Sequence, residues 1–149
     1  MKAYFSRGYE ISASHRLHTD VLSESENRAT FGKCNNPFGH GHNYRIEVTV
    51  GGPVDAATGM VIDMVELDTV VGREVLQRFD HTNLNNDSIF ANQVSTTENL
   101  CIAIYQILMP ALQPAKLERV RIEETENNFF EYPGRIGHSK ASGPATARL

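Results

Sequence analysis

Apolar residues recur at every second position in some stretches of this chain and at every third or fourth in others. Tyr9, Ile11 and Ala13 alternate with Glu10, Ser12 and Ser14. That predicts a first strand over 2–15 whose buried face ends on His15, with a bulge near Gly8. Tyr44, Ile46, Val48 and Val50 alternate with Arg45, Glu47 and Thr49, predicting a strand over 43–51. Met64, Leu67, Val71, Val75 and Phe79 then recur at helical spacing. Asp63, with Glu66 after it, supplies a capping signal, so a helix is expected over 63–79. Ser95-Thr96-Thr97-Glu98 forms another capping box ahead of Leu100, Ile104, Ile107, Leu108, Ala111 and Leu112, a second helix that Pro110 kinks or ends. Val120, Ile122 and Glu124 share one face of a strand over 117–125, and a last strand runs over 129–132.

Between these elements, 16–31 is polar, with a short helical turn expected at 23–30. Gly51-Gly52-Pro53 and Asp55–Gly59 read as turns, 60–62 as a short extended piece and 84–92 as loop. The order strand, strand, helix, helix, strand, strand predicts an α+β domain: a four-stranded antiparallel sheet with two helices on one face. Such a sheet leaves edges and one face open, so partner subunits are expected to cover them.

The length of 149 residues fits one domain, expected over 1–133. Residues 134–149, rich in Gly, Ser, Ala and Pro, read as a flexible tail. Net charge is −4, so no overall positive field draws nucleic acid or an anionic membrane. The first residues lack the apolar core of a signal peptide, and no apolar run is long enough to span a bilayer. A cytoplasmic protein is expected, and in that setting Cys34 and Cys101 are not read as a structural disulfide. Cys101, inside the second apolar helix, reads as a small buried hydrophobe.

The candidate chemistry starts at Gly39-His40-Gly41-His42. If the strand reaches back that far, His40 and His42 leave one face with α-carbons about 6.5 Å apart. His15, at the end of the neighbouring strand's buried face, is the third imidazole. Three His with a vacant position is the pattern of catalytic zinc; a core histidine and an ordinary turn are the plainer alternative. Cys34 lies in a Gly- and Asn-rich loop, as a nucleophile or base, a fourth metal ligand or a surface thiol. Asp80-His81 sets an acid beside an imidazole, either a proton-transfer pair or a helix-terminal His favoured by the helix dipole. Glu124 continues an apolar face. Either the strand has reached solvent there, or the carboxylate awaits a ligand with a pair of donors. His138, in the tail, reads as a solvated side chain.

Taken together, Ser12-Ala13-Ser14-His15, Gly32-Lys33-Cys34-Asn35-Asn36-Pro37, Gly39-His40-Gly41-His42-Asn43-Tyr44, Asp80-His81, Val94-Ser95-Thr96-Thr97-Glu98-Asn99 and Glu124-Thr125 resemble the 6-pyruvoyl-tetrahydropterin synthase family. The match runs in family order from the first strand to Tyr132. One departure is Glu126, where the family has Asp. The resemblance implies a T-fold, whose subunits join into a barrel of three and stack as a homohexamer, a dimer of trimers with active sites at subunit interfaces. It implies Zn2+ on His15, His40 and His42. It implies Cys34, Asp80 and His81 as acid–base machinery, Cys34 facing Asp80 and His81 of a neighbouring subunit. Glu124 would hold the guanidine-like edge of a pterin, with Thr96 and Thr97 nearby.

The implied activity is that of a lyase: elimination of triphosphate from 7,8-dihydroneopterin triphosphate with side-chain tautomerisation. The alternative is the related 6-carboxy-5,6,7,8-tetrahydropterin synthase of queuosine biosynthesis, which acts on the same substrate and also sheds acetaldehyde. Its bacterial members usually have a shorter spacing from Cys to HGH than Cys34 to His40. A further alternative is a non-catalytic pterin-binding T-fold protein, which would need none of Cys34, Asp80 and His81. Lys33, Arg16, Arg135 and Lys140 are the candidate cations for the triphosphate.

Overall fold

The computed structural model describes residues 1–113 and 115–133. β1 (Lys2–His15), β2 (His40–Pro53), β3 (Thr82–Asn83), β4 (Lys116–Thr125) and β5 (Asn128–Tyr132) form one sheet in the order β3-β1-β2-β4-β5. The expected four-stranded sheet is therefore five-stranded. The added strand has two residues and pairs parallel to β1, with Thr82 opposite Ala13 and Asn83 opposite Ser14. Two residues are too short to leave a period in the sequence. The four long strands are antiparallel, as expected.

β1 and β2 stay in unbroken register from Lys2 opposite Pro53 to His15 opposite His40. The bulge expected at Gly8 is absent from this pairing. Gly8 instead makes room across the ladder: a Cβ there would lie 3.2 Å from the Arg45 guanidinium. The register breaks lie elsewhere, at Thr49/Val50 of β2 against β4 and between Glu123 and Thr125 of β4 against β5.

α1 (Glu24–Phe31) opens on a capping box between Ser23 and Glu26. The expected helix over 63–79 is one helical run in three parts: α2 (Met64–Val71), a π turn (Gly72–Leu76) and α3 (Gln77–Phe79). Leu67, Val71, Val75 and Phe79 are all buried. Their strict spacing of four drifts about 40° per step around an ordinary α-helix. The wider π turn, in which the Gln77 N–H reaches the Gly72 carbonyl, absorbs that drift and keeps the four on one line. Met64, expected on this face, is exposed. Residues 61–62 form a bend, and 60–62 contain no extended strand.

α4 (Thr97–Leu108) starts one residue later than the expected box allows. Thr96 is its N-cap and accepts from the Asn99 N–H, while Ser95 is buried ahead of it. The helix ends before Pro110. Its Leu100, Ile104 and Leu108 pack with Leu67, Val71 and Val75 against Ile11, Tyr44, Ile46, Val48, Val120 and Ile122 of the sheet. Both helical runs thus cover one sheet face. Each such buried aliphatic side chain contributes about 1.5–3 kcal/mol through burial alone. No helix among the described residues is long and apolar enough to cross a membrane. The expected tail, with His138 and the candidate cations Arg135 and Lys140, lies outside the described residues.

Candidate active site

The register of β1 and β2 assembles the site. His15 sits opposite His40, and His42 follows two residues on, so all three imidazoles rise from the helix-covered face at one end of the ribbon. Their ligand nitrogens lie within 4.8 Å of one another. His15 Nε2 is 3.1 Å from His40 Nε2. Gly39 makes the approach feasible. Its φ is +71°, and a Cβ there would fall 2.9 Å from the His15 carbonyl oxygen.

His15 is 1 % exposed, and its Nδ1 donates to the Ser95 carbonyl at 2.6 Å. A carbonyl only accepts, so the proton belongs on Nδ1 and Nε2 turns its lone pair to the other rings. Burial holds both His15 and His42 below the ordinary imidazole pKa, favouring the neutral, ligating form. His42 Nε2 is buried without a hydrogen-bond partner. A metal ion is what this orphaned nitrogen and its two neighbours fit: three converging imidazoles, with no fourth protein ligand in the cluster among the described residues.

Glu124 closes one side. Its Oε1 lies 3.5 Å from His42 Nε2 and accepts from the Thr97 hydroxyl at 2.7 Å. Its Oε2 accepts from Asn128 Nδ2 at 2.8 Å. The carboxylate therefore does not run out into solvent, one of the readings open from the sequence. Thr96 is committed to capping α4.

Asp80 and His81 follow α3 and dock on the outer edge of β1. Asp80 Oδ1 accepts the Ser12 N–H at 2.8 Å, and the His81 N–H donates to the Ser12 carbonyl at 2.6 Å. The Ser12 N–H is the main reason the Asp80 carboxyl sits below the usual range. His81 Nδ1 lies 2.9 Å from Asp80 Oδ1, so the adjacent pair is a true contact. His81 has a φ of +58°, a strained backbone for a non-glycine residue, and its ring is exposed. With Ser12, Ser14 and Asn43 it lines an open groove of about 430 Å³. Those three residues alternate with the imidazole-bearing positions and so face the other side of the sheet, while Ala13 and His42 also line the groove.

Cys34 is half-buried on a 3₁₀ turn (Gly32–Asn35) and stands outside the histidine cluster. Its turn is pinned by the Leu17 N–H on the Cys34 carbonyl at 2.9 Å, and by buried Asn35, whose Nδ2 donates to the Leu17 carbonyl and to His18 Nδ1. Among the described residues no hydrogen bond or ion pair joins Cys34 to Asp80 or His81 of the same chain. Arg16 and Lys33 line one cavity of about 500 Å³ with His18 and Arg28. Cys101 is buried as expected, its thiol donating to the Val120 carbonyl and its pKa pushed up to about 12 by burial.

The geometry thus resolves into a three-imidazole cluster flanked by a carboxylate, with an acid–imidazole pair at the edge of β1. The 6-pyruvoyl tetrahydropterin synthase family model matches residues 4–135. The chain belongs to this family. The 6-pyruvoyl tetrahydrobiopterin synthase of Drosophila melanogaster is 46% identical over 149 residues, 99% of this chain and 89% of that protein. The human protein of the same name is 46% identical over 134 residues, 89% of this chain and 92% of its own length. The solved structure of Caenorhabditis elegans 6-pyruvoyl tetrahydropterin synthase superposes with a TM-score of 0.87 at 43% identity, covering 91% of this chain and 97% of that one. For a chain of this synthase family, sequence reasoning missed Ser95, Asn128 and Ser12, which hold His15, Glu124 and Asp80. Ser95 and Ser12 act through backbone groups that every residue carries. Asn128 sits beside a hairpin turn, where Asn is ordinary.

Proposed function

We propose that this chain is a zinc-dependent 6-pyruvoyl-tetrahydropterin synthase. It takes 7,8-dihydroneopterin triphosphate, eliminates triphosphate and tautomerises the side chain to the 6-pyruvoyl product. The observation that carries this reading is the convergence of the His15, His40 and His42 ligand nitrogens within 4.8 Å beside Glu124, in a chain of this family. Zinc held by these three imidazoles would supply a Lewis acid that makes the substrate's side-chain hydroxyls more acidic.

The chain's own residues do the rest. Glu124, steadied by Thr97, receives the N–H donors of the pterin's guanidine-like edge, with Thr96 nearby. Cys34 as thiolate takes a proton from the side chain. His81, oriented by Asp80, gives and takes protons on the opposite side. In this reading Cys34 of one subunit meets Asp80 and His81 of a neighbour, which is consistent with the His81 ring being exposed in an open groove. The assembly is a T-fold barrel of three subunits stacked into a homohexamer in the cytoplasm. Among the described residues, the outer edge of β5 and the length of β1 not covered by β3 are the unpaired ladders on which neighbours would add.

Mass spectrometry of the product formed from 7,8-dihydroneopterin triphosphate tests the assignment. A product keeping every side-chain carbon after loss of triphosphate supports it. Release of acetaldehyde with a 6-carboxy product would transfer the chain to the queuosine-type reaction. An unchanged substrate with tight pterin binding would make it a binder.

A further inference from the structure

Glu124 stands at an irregularity in the hairpin that carries it. Glu123 pairs with Phe129 and Thr125 with Asn128, so β4 spends two steps where β5 spends one. Glu124 is the residue left without a partner, as in a β-bulge, a device that re-aims a side chain beside a site. A bulge frees a side chain but does not fix it. The fixing comes from across the hairpin: Asn128 Nδ2 donates to Glu124 Oε2 at 2.8 Å, while Asn128 Oδ1 accepts the Thr125 hydroxyl. Each end of the amide has its own partner, so the donating end has no choice but Glu124. Thr97 holds the other oxygen at 2.7 Å.

We infer that Asn128 is a positioning residue for ligand recognition: its amide bridges the bulge and presents the Glu124 carboxylate, pre-set, to the paired N–H donors of a 2-amino-4-oxopyrimidine ring. A carboxylate has about four acceptor sites. Thr97 and Asn128 take one on each oxygen, and one on each oxygen remains for a two-donor edge. Preorganisation of this kind raises affinity by removing the cost of ordering the anchor during binding. The inference rests on Glu124 being the pterin anchor.

The alternative role for Asn128 is local, as the residue that follows the hairpin turn. Asp distinguishes the two. Asp is as good a turn former as Asn and still accepts the Thr125 hydroxyl. It cannot donate to Glu124, and it sets a second carboxylate against the first.

The experiment measures binding of 7,8-dihydrobiopterin, a pterin without triphosphate, by titration calorimetry to the metal-loaded wild type and to Asn128→Asp, Asn128→Ala and Glu124→Ala. KM and kcat are measured beside it, and metal content and thermal melting check integrity. Asn128→Asp should weaken binding about tenfold or more, at least as much as Asn128→Ala. KM should rise in step, kcat should stay near wild type, and the melting temperature of the Asp variant should be little changed. A local turn role predicts the reverse order, with Asp close to wild type and Ala impaired in stability. That order, alongside a Glu124→Ala variant that binds weakly, overturns the positioning role and leaves the anchor standing. A Glu124→Ala variant that binds like wild type removes both.

Discussion

His15 Nδ1 donates to the carbonyl of Ser95 at 2.6 Å, and this bond turns His15 Nε2 toward His40. The helix-capping segment before α4 thereby sets the tautomer of a residue on β1. The partner is a backbone group, so the bond itself needs no particular side chain at position 95, although the burial of Ser95 limits the size of what can stand there.

His42→Ala should cost about tenfold or more in metal affinity, since it removes one of three converging nitrogens. Elemental analysis after gel filtration measures the loss, and circular dichroism should remain native because the core is apolar. Chelation of the wild type should abolish turnover, with recovery on adding zinc. Undiminished metal in His42→Ala would refute the cluster as the binding site.

Cys34→Ala should lower kcat by about 10²–10⁴, the usual share of a general acid or base, with metal content unchanged because the thiol lies outside the cluster. Asp80→Asn should lower kcat in the same range, as His81 loses the carboxylate 2.9 Å from its Nδ1. Steady-state kinetics on metal-quantified samples check both. Full activity in Cys34→Ala would refute its role as the base.

Gly39→Ala should be damaging for its size. The new methyl group meets the His15 carbonyl at 2.9 Å, and the backbone keeps a φ of +71° that favours glycine. Destabilisation of more than about 1 kcal/mol is expected, with weaker metal binding as His40 moves from His15. Urea unfolding and metal titration measure the two effects.

Asp87 marks a pH-dependent contribution to stability. The bidentate bond from Arg78, at 2.7 and 2.8 Å, is the main reason its carboxyl sits below the ordinary range. With the folded pKa depressed, the contribution is fully present above the unfolded value of about 3.9. It fades as pH falls through the lower folded value. Asp87→Asn should therefore melt below wild type from pH 5 to pH 7, and the gap should narrow as pH falls below the unfolded value. A gap that stays constant down to the acid end would show that the ion pair contributes nothing.

Much of this was legible in the chain. The alternation through Ile11, Ala13 and His15, and again through His42, Tyr44 and Ile46, announced both the strands and the face from which the imidazoles rise. Glu124 stood out because a carboxylate continued an apolar face. The fifth strand, Thr82–Asn83, was too short to show a period, and its pairing depends on where α3 ends rather than on its own residues. The start of α4 shifted by one because Ser, Thr and Thr are near-equal caps, and burial of Ser95 beside His15 decides among them. The true bulges lie where two strands with their own turns disagree in length, a relation that no single segment contains.

The uninterrupted β1–β2 ladder carries a last consequence. A ribbon zipped one step out of phase would send His15 to the opposite surface from His40 and His42. An ion taken up by these three imidazoles would double as a check on threading: only correctly aligned chains offer a complete set of nitrogens, and an ion held there would act as a rivet against slippage.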